Sequence, residues 1–139
     1  MTLPRLLADA VVLATLVTGC ATTPLPPERP VTQAEFPSLA GIWDGSVHSS
    51  RGDLTPVSVI VQPDGSFVTR GPASGLDHGL MALTPDGKIA FQSFDAMGGL
   101  PRTTGRLTLR EGDGRRVLVG EGRATESAIF YTLELTQRR

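Results

Sequence analysis

The sequence predicts an all-β protein, a small eight-stranded antiparallel up-and-down barrel preceded by a signal helix and a Pro-rich tether. Three observations indicate this architecture. Apolar and polar residues alternate with a period of two along several segments after residue 38. Short Gly-containing turn sequences separate these segments, and no stretch there has a helical period. The 139 residues include 16 Gly and 11 Pro, which favours one domain rich in turns.

The predicted strands follow one another at short intervals. They are residues 39–47, 56–62, 67–70, 79–84, 88–94, 106–111, 115–122 and 127–137. Because side chains alternate between the two faces of a strand, Val57, Val59 and Val61 share one face of the second strand. In the sixth strand, Leu107 and Leu109 point inward while the residues between and beside them face water.

Three turn sequences join neighbouring strands into hairpins: PDGS at 63–66, PDG at 85–87 and GDG at 112–114. In such turns Pro presets φ, Asp bonds back to its own backbone and Gly adopts a left-handed conformation. Sequential antiparallel pairing follows from these short connections. Closing the meander into a barrel removes its two exposed edge strands, so we predict a closed barrel rather than an open sheet.

Residues 1–19 have the layout of a secretory signal, with Arg5 ahead of an apolar run from Ala10 to Val17. Asp9 sets the start of this run, because an aspartate at the centre of a membrane helix costs about 2.5–3.5 kcal/mol. The run is far shorter than the roughly 20 residues that a spanning helix needs. We therefore predict a signal peptide rather than a permanent transmembrane helix.

Residues 17–20, VTGC, resemble the lipobox of bacterial lipoproteins: an aliphatic residue, a small residue, Gly or Ala, and then Cys. The resemblance implies cleavage between Gly19 and Cys20, a diacylglycerol-derived group on the Cys20 sulfur, and an acyl chain such as palmitate on the new amino group. Two or three chains anchor firmly, since each buried CH₂ contributes about 0.8 kcal/mol. With Ala21 next, the sequence resembles lipoproteins sorted to the outer membrane, facing the periplasm.

The chain is thus predicted to divide into a signal peptide (1–19), the lipidated Cys20 with a flexible Pro-rich tether (20–37) and the barrel domain (38–139). Five prolines between residues 21 and 37 disfavour both helix and central strand. A polyproline-like spacer of this length reaches at most roughly 50 Å. We expect it to lift the barrel off the membrane surface.

Residues 39–45, LAGIWDG, resemble the Gly-x-Trp opening of the lipocalins and their calycin relatives, here with Gly41 and Trp43. In that family the Trp closes one end of the barrel, and an Arg near the end of the last strand packs over it. The resemblance gives this Arg position to Arg138, with Arg139 as the alternative. The same opening is similar to that of small alkaline protease inhibitors, whose disulfide a chain with one cysteine cannot form.

The residue types that support catalysis or metal binding are not grouped in this sequence. His48 and His78 are its only histidines, which falls short of the three or four ligands of a zinc site. Neither lies in a recognisable nucleophile–base–acid arrangement. We interpret the RGD at 51–53 as a polar loop, and expect the loops 71–79 and 97–105 to rim any open mouth. We predict no enzyme, no metal and no cofactor.

The net charge is −1, and acidic and basic residues are mixed along the chain. The sequence therefore does not predict the basic face that nucleic-acid binding needs. We expect a membrane-anchored envelope lipoprotein whose barrel is a non-catalytic binding or protein-interaction module. The alternatives are a lipocalin-like carrier of a small apolar ligand and an inhibitor of a secreted enzyme. The interior discriminates between them, because an eight-stranded barrel is either filled by side chains or holds one small ligand. The residues expected to fill or line it are Val59, Phe91, Leu109 and Leu133.

Overall fold

The computed structural model describes residues 22–71, 77–94 and 102–139. Within these ranges the protein has one short 3₁₀-helix, Phe36–Leu39, and nine strands. The strands are β1 Glu28–Arg29, β2 Gly41–Ser49, β3 Leu54–Val61, β4 Ser66–Arg70, β5 Asp77–Leu83, β6 Ile89–Phe94, β7 Thr103–Gly112, β8 Arg115–Ala124 and β9 Phe130–Gln137. No helix in this part of the chain is both long and apolar enough to cross a membrane. The predicted signal peptide, with Gly19 and Cys20, lies outside the described residues.

Strands β2 to β9 form a closed antiparallel barrel, as predicted. Each strand pairs with the next along the chain, and the pairing of β2 with β9 closes the circle. These eight strands match the eight predicted ones in order. The additional strand β1 pairs with β7 beyond the end of β6: Arg29 lies opposite Leu109, two positions past the Ile89–Leu107 pair. Residue alternation thus predicted the strands, and the pairing of β2 with β9 removes the two edges that an open sheet would expose.

The three predicted hairpin turns lie together at one end of the barrel, which we call the closed end. Gly65 has a φ of 89° and Gly87 a φ of 76°, the left-handed region that only glycine enters without strain. Asp113 (φ 50°) and Gly114 (φ 69°) form the third turn, with the two positive φ values that a tight hairpin prefers. The glycines of all three predicted turn sequences thus include one with the left-handed backbone conformation that was predicted.

The fully buried core lies just inside the closed end. Trp43, Ile89, Leu109 and Leu118 all have 0% of their surface exposed. They come from β2, β6, β7 and β8 and meet across the barrel axis, so side chains fill this end. Burying a large apolar side chain is worth about 1.5–3 kcal/mol, which makes this layer the main source of packing stability.

The structure corrects the predicted boundary between tether and barrel. Residues 26–40, which we call the strap, cross the closed end and touch the three hairpins in turn. Pro27 packs by Gly112, Pro30 by Gly87 and Phe36 by Gly65. The strap also makes backbone hydrogen bonds, from the Val31 amide to the Gly87 oxygen (2.9 Å) and from the Glu111 amide to the Pro27 oxygen (3.1 Å). Proline composition predicted the absence of a helix, but not this packing.

The strap buries apolar surface of its own. The side chain of Val31 is 3% exposed and that of Leu39 is 2% exposed, and both belong to the same core cluster as Trp43. The folded part of the chain therefore begins near Pro26 rather than at residue 38. Only residues 21–25 remain between Cys20 and the first packed residue of the strap.

A polar cluster fixes the strap to β7. The Arg29 guanidinium lies between two carboxylates, 2.8 Å from Glu35 Oε1 and 2.6 Å from Glu111 Oε2. Glu35 also accepts hydrogen bonds from the Thr32 hydroxyl (2.8 Å) and the Thr32 amide (3.1 Å). These Thr32 bonds, with the Arg29 bond after them, lower the pKa of Glu35 to about 2. Glu35 therefore stays ionised well below the ordinary range of a glutamate.

Candidate functional site

The barrel is hollow between the buried core and the end opposite the strap. A cavity of about 1070 Å³ occupies this space and opens to solvent at that end, which we call the mouth. All eight strands of the barrel contribute residues to its lining. The buried layer that contains Trp43, near the start of β2, forms the floor. Of the four residues expected to fill or line the interior, Val59, Phe91 and Leu133 line the cavity. Leu109 lies in the filled layer below.

The lower wall of the cavity is apolar. Val59, Phe67, Met81, Leu107 and Leu135 line it with between 1% and 6% of their surface exposed. They occupy inward positions on five different strands, so the lower cavity is lined from several sides by hydrocarbon. Such a wall favours an apolar guest, because the contact removes apolar surface from water on both partners.

Glycines on the inner wall explain why two phenylalanines line the cavity instead of filling it. The Phe67 ring lies against Gly79 on the neighbouring strand, where a Cβ atom would overlap the ring. The Phe91 ring lies against Gly105 and Gly122 in the same way; a Cβ on Gly105 would come within 2.6 Å of its Cε1 atom. In β-sheets, aromatic side chains often cover glycines of nearby strands. Here both rings pack against the wall glycines and line the open cavity.

Hydroxyl groups surround the cavity near its mouth. The polar strand residues that line the cavity at this level, which we call the collar, are Thr55, Thr69, Asp77, Ser93, Thr103 and Tyr131, and the apolar Val47 and Ala124 lie opposite Thr55 and Thr103. The collar residues come from six different strands, and cross-strand pairing places Thr69 beside Asp77 and Ser93 beside Thr103. The cavity therefore changes from hydrocarbon at depth to hydrogen-bonding groups at the mouth. This order matches a ligand with an apolar body and a polar end.

The described ends of the two predicted rim loops lie at the mouth, as expected. Gly71 and Asp77, which flank residues 72–76, line the cavity, and so do Arg102 and Thr103 after residues 95–101. The intervening residues of both loops fall outside the described ranges. The predicted loops were too long at their ends, because residues 77–79 belong to β5 and residues 103–105 belong to β7.

Gly41 and Trp43 lie at the closed end of the barrel, at the start of β2. The Trp43 indole is fully buried, and its Nε1 donates a 2.8 Å hydrogen bond to the carbonyl oxygen of Leu39. Gly41 has a φ of 135°, which an L side chain rarely adopts. This glycine lets the chain turn from the 3₁₀-helix into β2, so that Trp43 enters the barrel as its floor.

Arg138 does not take the position expected from the resemblance. Its guanidinium forms a bidentate ion pair with the Asp44 carboxylate. Nε donates to Oδ2 at 2.8 Å, and Nη2 donates to Oδ1 at 3.0 Å. Asp44 follows Trp43 directly, so the alternation of β2 puts it on the outer face. The bond from Arg138, and then one from Ser58, lowers the pKa of Asp44. Arg138 thus lies on the outer wall and not across the indole.

A different arginine, Arg116, connects the strands to the strap at the closed end. Arg116 Nη1 donates to the Ser38 carbonyl oxygen at 2.9 Å and to Gln137 Oε1 at 3.1 Å. The Gln137 amide in turn donates to the Ala40 carbonyl oxygen at 3.1 Å. These bonds join β8 and β9 to the strap. Sequence reasoning missed Arg116; the available signal was its inward position, two residues before Leu118.

The remaining candidate residues do not converge. His48 and His78 lie on the outer wall, on strands separated by two others, and the His78 ring stacks on Phe94 with centroids 5.7 Å apart. Residues 51–53 form part of the exposed β2–β3 connection, where Ser49 Oγ accepts bonds from two loop amides. Among the residues that the structure describes, no three His, Cys, Asp or Glu side chains are grouped so that they could hold a metal ion.

Fold and cavity together define a class of protein, an antiparallel eight-stranded barrel that is filled at one end and hollow at the other. Comparison of the chain with protein-family models, with curated proteins and with solved structures finds no match. The geometry of the barrel interior is therefore the basis for assigning a function.

Proposed function

We propose that this protein binds a small amphipathic molecule inside its barrel. The observation that supports this most directly is the open cavity of about 1070 Å³, with apolar walls below and a hydroxyl-bearing collar above. Ligand sites in proteins are typically concave and mostly apolar, with a few placed polar groups. The interior was the feature that distinguished a ligand carrier from a module with a filled barrel, and it favours the carrier.

We propose that this binding is non-catalytic. The polar residues that line the described part of the cavity are hydroxyl-bearing residues together with Asp77, Arg102 and Glu126. Both histidines of the chain point away from it, so the common general base does not face the cavity.

We further propose that Cys20 anchors the barrel to a membrane, with the mouth directed away from the bilayer. The chain enters the barrel through the strap, at the closed end. Six residue steps separate Cys20 from Pro26, a reach of about 20 Å. The ten-residue strand β7 is about 33 Å long, or about 25 Å along a tilted barrel axis. This arrangement supports ligand exchange on the side facing the periplasm.

The binding proposal is tested by filling the cavity. Leu133→Trp adds volume inside the lumen, while Thr132→Trp adds the same side chain on the outer face of the same strand. An uncharged fluorophore, N-phenyl-1-naphthylamine, reports occupancy by its emission in apolar surroundings. We expect Leu133→Trp to weaken its binding at least about tenfold, or 1.4 kcal/mol, and Thr132→Trp to leave it unchanged. Equal binding by both variants would overturn the proposal.

The anchor is tested separately. Cys20→Ser protein should remain unprocessed and lose acylation, so mass spectrometry should show a chain without lipid. The wild-type protein should begin at Cys20 and carry the mass of its acyl groups. A wild-type chain without acyl groups would contradict the anchor while leaving the cavity proposal intact.

A further inference from the structure

We propose that the cavity selects an amphipathic organic cation, with its apolar body in the lower lumen and its ammonium group at Asp77. This inference rests on the proposed ligand-binding function and specifies the class of ligand. Asp77 is the one charged residue among the six collar residues, the other five bearing hydroxyls. Its side chain is half-buried at a lumen-facing position of β5, in the same row as Gly79 and Met81.

The position of Asp77 is fixed by its neighbours. It lies directly opposite Thr69 of β4, whose hydroxyl donates a 3.3 Å hydrogen bond to the Asp77 carbonyl oxygen. That bond uses the backbone of Asp77 and leaves the carboxylate available. No ion pair to Asp77 forms within the described part of the chain. A cavity-wall carboxylate that has no cationic partner among the described residues is suited to a cationic ligand.

The charges of the residues around Asp77 also favour a positively charged ligand. Among the described residues that line the cavity, two are acids, Asp77 and Glu126, and one is a base, Arg102. Arg102 is exposed and precedes β7, while Asp77 is on the wall itself. The nearest strand arginines, Arg70 and Arg123, are also exposed and alternate away from the lumen. A cleft with low-dielectric walls concentrates the field of such a carboxylate on a guest.

The collar hydroxyls complete the recognition of an ammonium group. An R–NH₃⁺ group has three donors and no acceptor, so it is matched by oxygen atoms that can accept. Thr69 Oγ1 lies beside Asp77, and Ser93 and Thr103 form the next pair around the wall. Below them the Phe67 and Met81 side chains offer hydrocarbon to the body of the ligand. One molecule can thus occupy both zones at once.

The experiment compares three ligands that share a ten-carbon chain: decylamine, decanol and decanoate. Titration calorimetry at pH 7.5 and low salt measures the dissociation constant of each below its micelle concentration. Because Asp77 is partly exposed, we expect decylamine to bind about fivefold more tightly than decanol. Decanoate should bind more weakly than decanol, and raising the salt concentration should reduce the differences.

Two variants assign the preference to Asp77. Asp77→Asn should lower decylamine affinity to that of decanol while leaving decanol binding unchanged. Glu121→Gln removes a negative charge from the outer wall of β8 and should leave all three constants unchanged. Equal binding of the three ligands, or a preference that survives Asp77→Asn, would overturn this inference alone. Failure of all three to bind would overturn the amphiphile-binding function with it.

Discussion

The Nε1 atom of Trp43 and the carbonyl oxygen of Leu39 are joined by a 2.8 Å hydrogen bond that is fully buried. This bond ties the first barrel strand to the 3₁₀-helix of the strap. It also satisfies the one polar atom of the indole, which would otherwise be costly to bury. Trp43 is thereby both the floor of the cavity and the link between barrel and strap.

Replacing this tryptophan should destabilise the protein more than replacing an aromatic residue at the mouth. Trp43→Phe leaves the Leu39 oxygen without its donor and creates a void under the cavity. We expect a loss of about 2–4 kcal/mol in the free energy of unfolding, measured by urea denaturation. Tyr131→Phe, at the half-exposed collar, should cost less than about 1 kcal/mol. Equal losses would contradict the role of Trp43 as the floor.

Arg138 gives the complementary prediction. Its guanidinium is paired with Asp44 on the outer wall, and both side chains are substantially exposed, at 57% and 42%. Exposed pairs are screened by water and salt. We expect Arg138→Ala to shift the thermal midpoint by far less than Trp43→Phe does. A large shift from Arg138→Ala would mean that it closes the barrel after all.

The strap is expected to be part of the folding unit. A chain that begins at Ser38 loses Val31, whose side chain is 3% exposed, and the backbone bonds to two hairpins. We expect it to be at least about 2 kcal/mol less stable than a chain beginning at Thr22. A chain beginning at Leu25 is the matched control and should retain full stability. Equal stability of the chain that begins at Ser38 would contradict the prediction that the strap is part of the folding unit.

The contribution of Glu35 should depend on pH with a definite sign. Its folded-state pKa of about 2 lies below its ordinary value of 4.5, so the folded protein favours the ionised form. The stabilisation is complete above about pH 4.5 and is lost as the pH falls toward 2. Glu35→Gln should therefore be less stable than wild type at pH 7, and the gap should narrow between pH 4.5 and 2. A gap that is constant over this range would contradict the assignment.

The inner-wall glycines should control the space in the lumen. At Gly105 an added Cβ meets the Phe91 ring and the backbone of β8. Gly105→Ala should cost about 1–3 kcal/mol of stability, since such overpacking forces backbone or side-chain shifts. Ala82→Ser, on the exposed outer face of β5, should change stability by less than about 0.5 kcal/mol. Urea denaturation measures both, and equal effects would contradict a close contact at Gly105.

Much of the barrel could be predicted from residues such as Val57, Val59 and Val61, because facing in a strand depends only on local alternation. The hairpins were equally local: a Gly at 65, 87 or 114 accepts positive φ whatever surrounds it. The same rule identified Phe91 and Leu133 as inward-facing. It could not say whether they would fill the interior or line it.

The sequence by itself determined the strands, their order and their inner faces, since these follow from period and turn chemistry within a few residues. The tertiary structure decided that Phe67 and Phe91 pack against glycines of other strands, which leaves the cavity open. It also decided that the strap packs on three hairpins, and that Arg116 rather than Arg138 ties the closed end. Each of these depends on which residues meet across strands distant in sequence, and barrel closure alone brings those residues together.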